Sequence, residues 1–209
     1  MDSLAPTASV RQTNGQALES GTYWSATTGG HVIYESRLEL VRLLCADFDP
    51  LVHGIVAQPF LLKAIVEGRV RKHIPDYLLI TKSGPVVVDV KPRQRWSEPV
   101  VSCTFAWTRQ AVEARGWRYE VWDAPPAAAL ENIRFLAGYR RPWLFQPEVL
   151  EELRSADLSG MTLAQASSSL SQRPDPTVRA AVHHLLWSHD LHVDLTEPLR
   201  PSTVLRRTA

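Results

Sequence analysis

His73-Ile-Pro-Asp-Tyr-Leu-Leu-Ile80, followed after a turn by Val86-Val-Val-Asp-Val-Lys-Pro92, is the stretch that decides how this chain folds. An acid stands at the start of one strand, and an acid and a lysine stand on the next. Alternate residues of an extended chain share a face, so Asp89 and Lys91 point one way and Val88 and Val90 the other. The intervening Lys82-Ser-Gly-Pro85 supplies turn chemistry that folds the first strand back on the second. Asp76 then comes beside Asp89 and Lys91. Two carboxylates about 4 Å apart repel by roughly 4 kcal/mol at an effective dielectric near 20. They need a divalent cation, the lysine or a shared proton to be tolerated. Hard oxygen donors favour magnesium, with manganese as its substitute. Such an ion can stabilise charge developing on a phosphodiester and activate a water. Lys91 is suited to orienting or deprotonating that water, or to steadying the phosphate. The pattern points to a metal-dependent nuclease.

A third carboxylate is expected from the segment before the sheet. Between His31 and Ala46, Leu38, Val41 and Leu44/Cys45 recur at helical spacing, and Leu40 and Leu43 widen the stripe. Glu35 and Glu39 are four apart and share a face of that helix. Spacing alone does not choose between them, and a solvated surface role competes for each.

Ser36-Arg-Leu-Glu39-Leu, Phe48-Asp-Pro50, Gln58-Pro59, His73-Ile-Pro-Asp76-Tyr and Val88-Asp-Val-Lys-Pro92, in that order, resemble TnsA, the endonuclease subunit of heteromeric transposases. The likeness runs from about Glu35 to Asp123. The acid-and-lysine element recurs in many nucleases, whereas the ordered series is more specific. The resemblance implies a PD-(D/E)XK, restriction-endonuclease-like α/β core, a mixed sheet flanked by helices. It implies that Glu39 is the helix glutamate, Asp76 the first metal-binding aspartate, Asp89 the second acidic position and Lys91 the catalytic lysine. Asp89 occupies a position where glutamine also occurs in the family. Gln58 matches a family position and is expected near the metal, against a competing reading as a buried amide at a strand start. The implied metal ligands are Glu39, Asp76, Asp89 and the Val90 carbonyl. The implied reaction is Mg2+-dependent nicking of the 5′, non-transferred strands at transposon ends. Its partners would be those DNA ends, a DDE-type transposase and, as a further candidate, an AAA+ ATPase regulator.

Composition sets bounds. The 209 residues are 44% hydrophobic, enough for a core of one ordinary domain and a small second unit. Cys45 and Cys103 stand in apolar segments without metal-ligand spacing and read as packed free thiols. No charged-then-apolar leader or membrane-length apolar run is evident, so a soluble cytoplasmic protein is expected, nucleoid-associated when assembled on DNA. Lys and Arg total 23 against 22 acids. Residues 1–123 carry 14 basic and 13 acidic groups, and the remainder nine of each. Phosphate neutralisation dominates DNA affinity, so neither part has a bulk electrostatic reason to hold DNA alone, and delivery by a partner is expected. Local basic patches remain at Arg69, Arg71 and Lys72 and at Arg93 and Arg95, with solvated loop charges as the competing reading.

Along the chain, residues 1–30 predict a flexible arm and residues 31–141 the nuclease domain. Within the latter, a helix is expected from about Val32 to Ala46, strands over Gln58–Val66 and Val70–Ile80, and a central strand over Pro85–Lys91. A helix over Ser97–Gly116, a strand over Trp117–Asp123 and a connecting helix over 125–139 follow. Trp96, Trp107, Trp117 and Trp122 read as packing aromatics.

Residues 142–209 predict a winged-helix-like α+β unit. Its helices run over Pro147–Ala156 and Thr162–Ser171 and from Asp175-Pro176, with a Thr162/Gln165 capping box. His192–Leu195 and Ser202–Leu205 would form the wing. Arg179, His183 and His184 are expected on the exposed part of the third helix, a weakly basic face better suited to protein docking than to groove reading. His183, His184, His189 and His192 follow no zinc spacing. Two rivals stand beside the transposase subunit: a self-sufficient restriction or repair nuclease, and a catalytically inactive adaptor that recruits a transposase.

Overall fold

The computed structural model describes residues 20–206. A hairpin of β1 (Gly21–Ser25) and β2 (Gly30–Tyr34) leads into α1 (Arg37–Phe48). Thus the last part of the expected arm is ordered β structure, and residues 1–19 lie outside the described residues. The helix expected from Val32 starts later because Val32 faces the core from β2, and Ser36 caps α1 by accepting the Glu39 N–H.

The central sheet has the order β3-β6-β7-β8, from β3 (Val52–Ala57), β6 (Tyr77–Thr81), β7 (Gly84–Val90) and β8 (Arg118–Trp122). β3, β6 and β7 are antiparallel neighbours, while β8 runs parallel to β7 after the crossover helix α2 (Pro99–Glu113). The chain is therefore α/β, with a mixed four-stranded sheet flanked by helices. The unalternating Val86–Val90 run is explained by burial on both faces. Val86, Val88 and Val90 join α1 in one cluster, and Val87 joins Trp107, Val112 and Tyr119 in the other.

β3 is an element that the sequence reading lacks, and the two long strands expected around Glu67-Gly68 are interrupted. A separate ribbon of β4 (Leu62–Val66) and β5 (Arg69–His73) stands outside the central sheet. Pro59 and Pro75 fall at the breaks, where a missing N–H and a fixed φ oppose continuous pairing.

The remaining helices are α3 (Ala127–Leu136), α4 (Pro147–Ser155), α5 (Leu163–Ser167) and α6 (Asp175–Trp187). The Thr162/Gln165 capping box is present, whereas Pro174 rather than Asp175 occupies the cap of α6. Single bridges, Thr162 to Val204 and His192 to Arg206, stand where two wing strands were expected. One apolar cluster extends from Tyr23 and Leu43 through Val88 and Leu136 to Val182 and Leu205, so residues on both sides of 142 share it.

The histidines of α6 differ from the sequence reading. His183 and His184 are buried, because Ala181–Trp187 is covered on every face of the helix. His184 stacks on Phe145 and its Nδ1 lies 2.7 Å from the Tyr139 carbonyl. His183 packs against Phe135 and Tyr139, and burial, aided by Arg179, pulls its pKa down to about 4. Among the described residues no helix is long and apolar enough to cross a membrane.

Candidate active site

The β6–β7 hairpin builds the centre of the site. Tyr77 pairs with Val88, and one further step of this register sets Asp76 across from Asp89. Tyr77 belongs to the α1-side core, and Asp76 stands in the bend just before β6. Asp76 Oδ2 accepts the Val90 N–H at 2.6 Å. Val90 thus lies between the two ends of the Asp89/Lys91 pair, with its amide directed at Asp76.

Asp89 is only 2% exposed, yet it has partners for its charge. His73 Nε2, at the end of β5, lies 2.8 Å from both carboxylate oxygens, and the Tyr119 hydroxyl donates to Oδ2. Burial, followed by the Asp89 charge and this hydrogen bond, raises the Tyr119 pKa far above the phenol range, so the hydroxyl stays a donor. The His73 ring meets Trp107 of α2 in a T-shaped contact. Lys91 has a clamped backbone: its N–H donates to the Trp122 carbonyl at 3.0 Å and its carbonyl accepts Trp96 Nε1 at 2.7 Å.

Glu39 approaches from the first turn of α1. Its Oε1 accepts the Ser36 hydroxyl at 2.9 Å and its Oε2 the Glu35 N–H at 2.8 Å. With Ser36 accepting the Glu39 N–H, the Glu39 carboxylate is tied to the residues that open α1, so the expected ligand also steadies the helix start. Gln58 is exposed rather than buried, and follows β3 rather than opening a strand. Its Nε2 donates to Glu35 Oε1 at 2.9 Å and its backbone N–H to the Asp76 carbonyl at 2.9 Å. Its φ of 47° is left-handed, which costs a non-glycine residue about 1 kcal/mol or more. That strain is held where Glu35, which precedes α1 rather than sharing a helix face with Glu39 as expected, meets the loop carrying Asp76.

The electrostatics tie these groups into one neighbourhood. Asp76 is pushed up to about 7, first by burial, against the opposing Val90 N–H. Glu39 and Asp89 raise it further and Lys91 lowers it. Three of the candidate residues therefore act on the carboxyl of the fourth.

Among the described residues, no three His, Cys, Asp or Glu side chains are grouped closely enough to hold a metal ion. The donor chemistry still fits a hard cation: the groups around Asp76 are carboxylate oxygens and backbone, and their mutual repulsion is what a divalent charge relieves. Glu39 and Asp89 would exchange present hydrogen bonds for such an ion.

Sequence reasoning passed over His73 and Tyr119 as site residues. His73 opens the motif that locates Asp76, but its partner lies across a ribbon that the sequence reading merged into a longer strand. Tyr119 shares a face of β8 with Val121, the residue paired with Asp89, a parity readable only once β7 and β8 are known to be parallel.

No protein-family model matches this chain, and no curated protein matches it.

Separating the two roles of Glu39 is direct. Gln keeps one of the two acceptors that hold the helix start, so Glu39→Gln should cost no more than about 1 kcal/mol of unfolding free energy. Magnesium affinity, read by titration calorimetry, should fall at least about tenfold. Unchanged affinity would confine Glu39 to capping.

Proposed function

We propose that this chain is a PD-(D/E)XK endonuclease, the TnsA-like subunit of a heteromeric transposase that nicks the 5′ strands at transposon ends. The observation that carries the reading is the convergence of Glu39, Asp89 and Lys91 on the half-buried carboxyl of Asp76, at one end of a mixed sheet. Asp76, Asp89, the Val90 carbonyl and Glu39 would hold Mg2+. Bound there, the cation supplies charge neutralisation at the phosphodiester and Lewis-acid activation of water. Lys91 orients the attacking water, and its fixed backbone limits the positions the ammonium can sample. His73 and Tyr119 hold the Asp89 carboxylate in place.

Residues 142–209 are assigned to a winged-helix-like unit, on the support of α4, α5 and α6 followed by bridges from Val204 and Arg206 back to Thr162 and His192. Of the three groups expected on the third helix's outer face, Arg179 alone is exposed. That supports docking of a DDE-type transposase more than groove reading.

The test maps strand breaks on a plasmid carrying the element's ends, with Mg2+ and the transposase encoded beside it. Breaks at the 5′ ends should require the transposase and should vanish, by about 10³-fold or more, in Asp76→Ala and Lys91→Ala. Retained cleavage in either folded variant sinks the assignment, and cleavage indifferent to transposase and ends would indicate a free-standing nuclease. A second reading, a transposase-recruiting adaptor, is favoured by the engagement of Glu39 and Asp89 with protein donors. It predicts no magnesium binding by calorimetry.

A further inference from the structure

The ribbon β4–β5 carries its charges in a pattern that its own stability does not call for. Its register sets Leu62 opposite His73, Lys63 opposite Lys72, Ala64 opposite Arg71, Ile65 opposite Val70 and Val66 opposite Arg69. Directly opposed residues share a face, and the faces alternate along each strand. One face carries Leu62, Ala64 and Val66, which pack with Trp107 and Val87 on the α2 side of the sheet. The other face is therefore Lys63 with Lys72 and Ile65 with Val70.

That outer face is unfavourable in isolation. Like charges directly opposed across an antiparallel pair destabilise it. Beyond them Ile65 is 78% exposed and Val70 67%, an apolar pair standing in water near the tip. The tip is a two-residue Glu67-Gly68 loop with both φ positive, 50° and 73°, the geometry that gives a tightly twisted hairpin. Four cations, Lys63, Arg69, Arg71 and Lys72, surround the single acid Glu67 in this ribbon. None of the four is ion-paired among the described residues. A surface that opposes two lysines and exposes two aliphatic side chains is complementary to an anionic rod with apolar base edges. The major groove of duplex DNA admits a two-stranded ribbon.

Resting on the endonuclease reading above, we propose that the β4–β5 ribbon is the duplex-gripping element of this chain and enters the major groove. Lys63 and Lys72 meet backbone phosphates, and Ile65 and Val70 lie against base edges. The ribbon ends in His73, whose ring holds Asp89, so the gripping element and the candidate cutting centre are joined by one hydrogen-bonded pair. Five residues of strand span about 13 Å. At about 3.4 Å per nucleotide step the contacted groove lies within about four base pairs of the cut phosphate. This local grip also reconciles a net charge of +1 with work on DNA: four cations stand on one ribbon separate from the central sheet.

The experiment measures binding of a fluorescent 30-base-pair duplex by anisotropy, in EDTA so that nothing is cut, from 50 to 200 mM salt. The wild type is set against Lys63→Ala/Lys72→Ala, Ile65→Ser/Val70→Ser and Asp76→Asn. The double lysine variant should weaken binding tenfold or more and lower the log–log salt slope by about two, one unit for each lost phosphate contact. Its thermal unfolding should be unchanged or improved, because the like-charge pair is gone. The aliphatic variant should weaken binding with the salt slope unchanged. Unaltered duplex binding in the lysine variant, or no binding by the wild type at 50 mM salt, overturns the proposal and leaves the face to a protein partner. Asp76→Asn should bind at least as well as wild type. Ribbon-dependent binding by a wild type that never cuts would keep this proposal and sink the nuclease reading.

Discussion

Asp76→Asn should make the metal-free protein more stable at pH 8 while abolishing cleavage. Asp76 is pushed up to about 7 by burial and then by Glu39 and Asp89, against the help of the Val90 N–H and Lys91. Its folded pKa thus lies above that of the unfolded chain. Such a group contributes its full stability below about pH 4, where it is protonated in both states, and the contribution is lost as pH rises through about 7. At about 1.4 kcal/mol for each tenfold change in the proton equilibrium, holding this carboxyl ionised at pH 8 costs at most about 4 kcal/mol. Asparagine removes the charge and keeps an oxygen to accept the Val90 N–H, although its amide hydrogens need new partners. A gain on the order of 2 kcal/mol is therefore expected at pH 8, shrinking to nothing near pH 4. Urea denaturation of both proteins in EDTA across this range measures it. Wild type and variant with parallel pH profiles would show that Asp76 carries no stored electrostatic cost. Saturating Mg2+ should close the gap from the other side, by stabilising the wild type alone.

This cost is visible in the sequence only in outline. The alternation around Asp89 and the turn at Lys82-Ser-Gly-Pro85 are enough to place Asp76 beside Asp89, because strand parity and turn chemistry are local rules. Glu39 over Glu35 is a choice that only resemblance can make, and the two are in fact joined, Glu35 by its N–H to the Glu39 carboxylate. Beyond local rules the sequence is silent for identifiable reasons. β1, Gly-Thr-Tyr-Trp-Ser, and β2, Gly-His-Val-Ile-Tyr, do hold strand-forming aromatic and β-branched residues, but each is five residues long and the Ser, Thr, Gly and Ala of residues 1–30 around them mask that pattern. β3 carries Gly54 and His53 between Val52 and Ile55, so its β-branched residues form no unbroken run like Val86-Val87-Val88 of β7. His183 and His184 look like surface groups by type, but α6 is enclosed by α3, α4 and α5, and tertiary packing overrides composition. His73 becomes a site residue only through a pairing between elements that no spacing encodes.

The hairpin β1–β2 is also where the largest loss of stability is expected, at a residue that the catalytic reading ignores. Asp47, buried in the last turn of α1, accepts four hydrogen bonds: Tyr23 Oη at 2.8 Å, Ser25 Oγ at 2.7 Å, and the N–H groups of Ala26 at 3.1 Å and Thr27 at 2.8 Å. These donors span the end of β1 and the turn after it, so one carboxylate fastens the hairpin to the far end of the helix that begins near Glu39. Arg140 reinforces the joint from outside, its guanidinium over the Tyr23 ring and its Nε on the Trp24 carbonyl. Asp47→Ala leaves buried donors without an acceptor, and breaking such a network costs about 3–5 kcal/mol. Asp47→Asn, which turns one acceptor into a donor facing other donors, should recover only part of it. Equilibrium denaturation of both variants measures the loss. A deficit below about 1 kcal/mol in Asp47→Ala would mean that the hairpin is held by its apolar contacts, Tyr23 and Val32, rather than by the carboxylate. Asp47 is a buried aspartate and Asp76 a half-buried one, yet the first is surrounded by donors and the second faces like charge. Removing the charge should therefore weaken the protein at Asp47 and strengthen it at Asp76.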